Sequence, residues 1–442
     1  VVVVGVVGLA IAWPHAQGEA QAPTFRAGSD LIVVDAQVID GKGAPVVGLT
    51  AKDFEVTIDG HDHRVAAVDA ANYATAASSG SSVPLSVSAR PATASEPAPL
   101  LLTAPPSTPA AAAPPPSSAP QATAGRTFIL AIDAGSFTND ASPGVIAAAR
   151  QFVNALSPRD EVALTTFPSG PHVDQTSDHV AITQALSGVS GARIGGRRYS
   201  PGEIVEFVGE TNAPQAMGGR SGGATSTNLS SVRDAVLQRE CGGVTDPVCR
   251  QRVEQDIAAE AGMQEQLGIR SLNQIRDGIR EAGRLPGRKF LVLVSAGLLA
   301  ADRAGSHPDF GNLPEDVGHA AASANVTVYT LFIDPSFWER YSAETRKGEV
   351  EAVHHGRDSV LLERGLDLFT GAAGGAVFQD VIGGGELGFQ RVLRETSAGY
   401  VLGVEPTDRD RDGNLHEVRV SVKKHGVTVR ARQWVRVPNA GG

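Results

Sequence analysis

Three short stretches carry side chains able to do chemistry. Residues 408–417, DRDRDGNLHE, set Asp408, Asp410 and Asp412 at alternate positions ahead of Gly413. That is the first half of an oxygen-lined Ca²⁺ loop. A complete loop takes a glutamate at its twelfth position, and that position is Arg419, whose charge repels a cation. The flanks read as strands, so an Asp-Gly hairpin turn is the stronger expectation. Residues 219–223, GRSGG, fit G-x-S-x-G with Ser221 as the candidate nucleophile. A nucleophile elbow needs a strand before the serine and a helix after it. Here the surroundings are glycine-rich, which makes a serine hydrolase the weakest reading. His354 and His355 are adjacent, and neighbours on a regular element cannot both face one metal ion; a polar loop is expected. There is no Walker phosphate loop, and no G-x-G-x-x-G follows the first α/β strand, so a nucleotide enzyme is disfavoured.

The elements that must position these residues fall into blocks. Residues 1–13, VVVVGVVGLAIAW, form an apolar run of signal-peptide length, followed by small residues with Ala16, Ala20 and Ala22 as cleavage candidates. Export is the expectation, with residues 1–22 removed. An uncleaved N-terminal segment is the one route by which this reading places the chain on a membrane. In an exported protein Cys241 and Cys249, the only two cysteines, are expected to pair, because GGVTDPV between them can turn back. The alternative is two free thiols. Residues 24–72 alternate as strands, with a hairpin tip at Asp59-Gly60. Residues 78–125 are rich in Pro, Ala and Ser and read as an exposed, disordered linker.

From Thr127 the pattern changes to apolar strands alternating with helices: TFILAID, EVALTTF, KFLVLVSAG and NVTVYTLFID. Continuous apolar strands between helices mean a mainly parallel sheet covered on both faces. The helices expected are Ser142–Leu156, with Ser142 as N-cap, Asp178–Leu186, Glu315–Ala324, Val360–Ala372 and Glu386–Thr396. An insertion at 188–288 interrupts this run. Its first part is glycine-rich and expected to be mobile, and its second, near Asp246–Ala282, is one long polar helix. After Ser397 the strand pattern returns through residues 398–438. Lone three-stranded sheets are marginal, so the two terminal modules are expected to form one β-sandwich, discontinuous in sequence, around an α/β domain at 126–396.

These elements together resemble one family, the VWFA-related domain proteins of the Acidobacterial type. The residues that carry the resemblance are VVDAQVIDGKGAPVVGLTAKDFEVTIDG, TFILAID, PRDEVALTTF, LPGRKFLVLVSAGL, SAGYVLGVEP and the closing VRARQWVRV. They span about residues 25–437 without the linker. The resemblance implies a doubly wound α/β fold of the von Willebrand factor A type and an exported location. It also implies a divalent-cation site at the C-terminal edge of the sheet, built on D-x-S-x-S, a second-loop Thr and a third-loop Asp. The first loop here reads D-A-G-S-F from Asp133. Gly135 and Phe137 replace the two serines, and Ser136 falls between their positions. In the third loop, Ser295-Ala296-Gly297, Ala296 stands where the Asp is expected. Thr225 or Thr227 is left for the second loop. One carboxylate and two hydroxyls hold Mg²⁺ poorly, because the ion dehydrates reluctantly.

The expectation is therefore an exported, non-catalytic protein-binding or scaffold module of the cell envelope with a degenerate metal site at Asp133, Ser136 and Thr227, and no cofactor. The alternatives are a Mg²⁺-dependent adhesion domain that uses Asp133 and Ser136, and the hydrolase at Ser221. The net charge of −10 with no long basic run argues against nucleic acid.

Overall fold

The computed structural model describes residues 31–73, 125–193, 198–212, 231–243, 245–303, 306–334, 352–380 and 385–439. The signal segment, nearly all of the linker, Ser221, Thr225 and Thr227 lie outside the described residues. Among those described, no helix is long and apolar enough to cross a membrane.

The central sheet has six strands. They are β5 (Thr127–Asp133), β6 (Glu161–Phe167), β7 (His172–Thr176), β8 (Lys289–Ser295), β9 (Val326–Ile333) and β10 (Ala376–Asp380). Their order is β10-β9-β8-β5-β6-β7. All neighbours pair in parallel except β6 and β7. Every residue of β5, β8 and β9 is buried, which is why these strands read as unbroken apolar runs: helices cover both faces. On one face Phe128, Leu130 and Ile132 meet α1 (Ser142–Asn154) and α2 (His179–Ala185). On the other, Ile129 and Ala131 meet a larger layer. That layer contains α3 (Pro201–Asn212), α4 (Val232–Cys241), α5 (Pro247–Ala282), α6 (Leu313–Ala324) and α7 (Ala352–Ala372). The last helix, α8 (Glu386–Glu395), returns to the first face, where Phe389 stacks on Phe152 at 4.9 Å.

The two flanks of the chain pair with each other. From the N-terminal flank come β1 (Ile32–Asp40), β2 (Phe54–Ile58), β3 (His61–His63) and β4 (Val65–Asn72). From the C-terminal flank come β11 (Ala398–Val404), β12 (Leu415–Val422), β13 (Val427–Ala431) and β14 (Trp434–Arg436). They form two four-stranded sheets, β13-β1-β11-β4 and β14-β12-β2-β3. Each sheet mixes strands from both ends, with Ile32 opposite Val404 and Ile58 opposite Val418. Val34, Ala36, Val56, Ile58, Leu402 and Val404 are buried between them in one core.

The sandwich docks where the parallel strands begin. The Tyr329 hydroxyl donates to Gln37 at 2.7 Å, Arg430 pairs with Glu395 at 2.7 Å, and Arg432 reaches the Ala322 carbonyl at 3.3 Å. Burial lowers the pKa of Lys289, the first residue of β8, while Asp35 of β1 opposes that shift. The C-terminal ends of the parallel strands therefore point away from the sandwich.

Four readings of the sequence need correction. Ser142 is the first helical residue rather than the N-cap, which is Ala141. The glycine-rich part of the insertion contains a regular helix, α3, whose Ile204, Val205, Phe207 and Val208 are buried. The helix expected from Val360 begins at Ala352, so the His354–His355 pair lies on a helix and not in a loop. The polar edge strand β7 gives no alternating signal, and the return arm of the Asp59-Gly60 hairpin is the short β3 alone, the strand from Val65 passing to the other sheet as β4.

Candidate functional site

Counted from β5, the parallel sheet runs in the order 3-2-1-4-5-6, so the winding reverses between β5 and β8. Open α/β sheets bind ligands outside the carboxyl ends of their strands at such a switch point. Here it is bounded by Asp133, the last residue of β5, and Ser295, the last residue of β8.

The local chain explains how these groups are held. Asp133 ends a fully buried strand, so its carboxyl is drawn out of water with the backbone. Ser295 Oγ donates to Asp133 Oδ2 at 3.0 Å and accepts the Gly297 N–H at 3.2 Å. Ser136 Oγ donates to the Asp133 carbonyl at 2.7 Å and accepts the Ala296 N–H at 2.8 Å. The Gly135 N–H reaches the Phe167 carbonyl at 3.3 Å, which ties in the end of β6. Burial pushes the Asp133 carboxyl up to about 7, and the bonds from Ser295, Gly135 and Ser136 only partly oppose this. The two hydroxyls and the carboxyl thus close a latch between the first and third loops. The Ser136 hydroxyl meets the backbone carbonyl of Asp133 and not its carboxyl. The hydroxyl that meets the Asp133 carboxyl, however, belongs to Ser295, one residue before the third-loop position.

A second polar group lies at the end of the next strand. Asp334, just past β9, accepts from Ser359 Oγ at 2.9 Å, and Gln379 donates to that hydroxyl at 3.1 Å. These partners come from α7 and β10, so β9 ends in a side-chain cluster separate from the Asp133 latch.

The aspartate-rich turn at 408–413 does not gather its carboxylates around one point. Asp410 accepts from the Thr407 N–H and hydroxyl and pairs with His63 Nε2 at 2.9 Å. Asp412 pairs with His416 Nε2 at 2.9 Å, and His416 Nδ1 meets Asp59 at 2.8 Å. Among the described residues, no three His, Cys, Asp or Glu side chains are placed to share a metal ion. The two histidines instead clasp the N-terminal flank to the C-terminal flank. The sequence flagged the aspartates but not this use, because His63 and His416 are far apart in the chain.

The His416 half of the clasp titrates. Burial alone would lower His416, but its hydrogen bonds with Asp59 and Asp412 outweigh burial and raise it above its ordinary 6.5. Asp412 is held down to about 2 by the Asn414 N–H and side-chain amide, then by His416. A raised histidine stabilises fully below about 6.5 and loses that contribution as pH rises through its folded-state value. A depressed aspartate contributes above about 4 and fades as pH falls toward 2. The His416–Asp412 pairing is strongest between those limits. His416→Gln is expected to cost more stability at pH 5.5 than at pH 9, read from urea midpoints; an equal cost at both would show that the charge pairing is not felt.

Cys241 and Cys249 are bonded to each other, as expected from the sequence. No family model matches the chain, and no curated protein matches it. Solved structures with some likeness include an aerotolerance-related membrane protein from Bacteroides fragilis, at 12% identity and a TM-score of 0.28, covering 61% of this chain and 98% of that one. BatB from Bacteroides thetaiotaomicron is similar at 11% identity, with the same coverage and TM-score. The pilus adhesin SpaC from Lactobacillus rhamnosus GG shares 11% identity over 72% of this chain and 44% of that one, at a TM-score of 0.27. At such TM-scores neither fold nor activity carries across, and the function is argued from the site alone.

Proposed function

We propose that the chain is an exported, non-catalytic protein-binding module of the cell envelope, built on a von Willebrand A-like domain of the VWFA-related type. Its binding surface is the loop set at the C-terminal edge of the parallel sheet. The observation that carries this reading is the latch at the switch point. Asp133, Ser136 and Ser295 satisfy one another and the backbone N–H groups around them, so their oxygens are turned inward. A cation would have to break these bonds and ionise a carboxyl held near 7. Recognition then rests on the shape and polarity of the loops, with the sandwich occupying the opposite end of the strands.

Two measurements test it. Millimolar Mg²⁺ or Mn²⁺ is expected to leave the melting temperature unchanged. Occupancy of a native-state site at 100 times its dissociation constant would add about 2.7 kcal/mol, and such a shift, abolished in Asp133→Ala, would replace this reading with a metal-dependent adhesion domain. A photo-crosslinker at the exposed Ser169, in the loop after β6, is expected to capture an envelope protein. The same probe at Lys424, on the sandwich, is not. Equal capture from both positions would remove the loop edge as the binding surface.

A further inference from the structure

The chain's covalent crosslink joins the short helix α4 to the long helix α5. Helix α4 buries only Val236 and Leu237. Its polar links are part-exposed ion pairs, Arg233 to Glu254 at 2.7 Å, Arg239 to Glu203 and Glu240 to Arg198 at 2.7 Å, with the Arg233 N–H donating to Glu210 at 3.2 Å, and pairs open to solvent contribute little each. Cys241 is its last residue, and Cys249 lies in the first turn of α5.

The surroundings of the two sulfurs differ. Cys249 sits at the N-terminus of a 36-residue helix, where the peptide dipoles favour negative charge. Arg252 Nη2 points at Cys249 Sγ from 3.5 Å. Asp246 caps the same turn through the N–H groups of Val248 and Cys249, and its charge opposes a thiolate there; Arg252 offsets it. Cys241 has the opposite placement, at a helix C-terminus. The chain beyond it is open: Gly242 is left-handed, at φ +69°, and a Cβ built on it would meet nothing within 4 Å. The open side beyond Gly242 is the approach to the half-buried Cys241, and the better leaving sulfur is that of Cys249.

We propose that Cys241–Cys249 is a dithiol–disulfide exchange site, reduced by a thioredoxin-class dithiol protein, with α4 as the element it releases. The partner's thiolate attacks Cys241 Sγ. The Cys241–Cys249 bond breaks, and its electron pair leaves on Cys249 as a thiolate facing Arg252. The partner's second thiolate then attacks its own first sulfur in the mixed disulfide and expels Cys241 as a thiolate. Both cysteines take up protons as solution pH dictates. Two electrons pass to the chain, and the partner ends as a disulfide. Without the bond α4 keeps two buried side chains and part-exposed polar links, so it loosens from α3 and α5, with which it shares the apolar cluster of Val253 and Ile257.

The test uses the intact, oxidised protein with thioredoxin, thioredoxin reductase and NADPH, followed by thiol alkylation and mass spectrometry. Both cysteines are expected to become alkylatable together within minutes under native conditions. Arg252→Gln, at an exposed position, should slow this about fivefold. It should also make the equilibrium potential about 20 mV more negative, the same factor for a two-electron couple. Asp246→Asn should move both in the opposite direction. Hydrogen exchange after reduction should rise in residues 232–241 and in the first turns of α5 only. Reduction that requires denaturant would overturn the proposal, as would an unchanged rate and potential in both variants. A rise in exchange throughout the chain would also overturn it, because the bond would then be a staple for the whole fold.

Discussion

Replacing Arg126 with methionine is expected to cost about 3–5 kcal/mol of folding stability, the range for breaking a buried ion pair by removing one partner. Arg126 and Asp160 have side chains 0% and 1% exposed and meet at 2.6 Å. The guanidinium also donates to Thr396 Oγ1 at 3.1 Å. Arg126 precedes β5, Asp160 precedes β6 and Thr396 follows α8, so one side chain joins the entrances of two central strands to the last helix. Methionine fills similar volume and leaves the Asp160 carboxylate buried without its counter-ion. The second replacement, Asp160→Leu, should recover only part of the loss in the double variant. The Asp160 carboxylate also accepts the backbone N–H groups of Arg126 at 2.8 Å and Ser157 at 2.9 Å, and these would be orphaned. Urea denaturation measures both variants, and a loss under about 1 kcal/mol in Arg126→Met would mean that water or rearrangement satisfies the charge.

The other large effect concerns Asp133 and pH. Its carboxyl is raised from 3.8 to about 7. The folded state then binds the proton more tightly than the unfolded chain between those values, and stability falls as pH rises. Below about 4 both states are protonated and the group is neutral in its effect. Across the interval the loss is about 1.4 kcal/mol per pH unit, or about 4 kcal/mol in all, complete above about 7. Asp133→Asn cannot ionise and should lack this slope. The difference in urea-derived stability between native protein and variant should change by about that amount from pH 4 to pH 8, in favour of the variant at high pH. Parallel pH profiles would mean that the carboxyl is hydrated and that the latch is not a dry, neutral one.

How much of this was legible depended on whether a residue's partner left a local trace. TFILAID and KFLVLVSAG were readable as buried strands because both faces are covered, and α5 because Asp246 and Pro247 mark its start. Helix α3 was hidden by the glycines around it, although its apolar residues follow helical spacing. Edge strand β7 exposes too many polar groups to show alternation. The first loop is found through Asp133, and the resemblance offered Ser136 as a metal ligand beside it. In the fold its hydroxyl bridges a carbonyl and an N–H on different loops. Ser295 leaves no trace in the sequence, because the third-loop ligand position is Ala296 and the Ser295 hydroxyl meets Asp133 only across the strands. The Arg126–Asp160 pair had no sequence signal at all, since charged residues at strand entrances usually face water.

The interleaving of the two flanks also fixes an order of events during synthesis. Ile32 cannot pair until Val404 has been made, and Phe54 waits for Val422. The parallel sheet and its helices lie wholly between those points, and domains emerging from the ribosome fold as units. Strands β1 and β4 must therefore stay unpaired, and β2 paired with β3 alone, while the middle of the protein folds. Unpaired edges invite wrong partners. Any chain that stops short of residue 398 carries this exposed, unfinished half permanently, so the strands from Ala398 to Arg436 decide whether the N-terminal flank is ever covered.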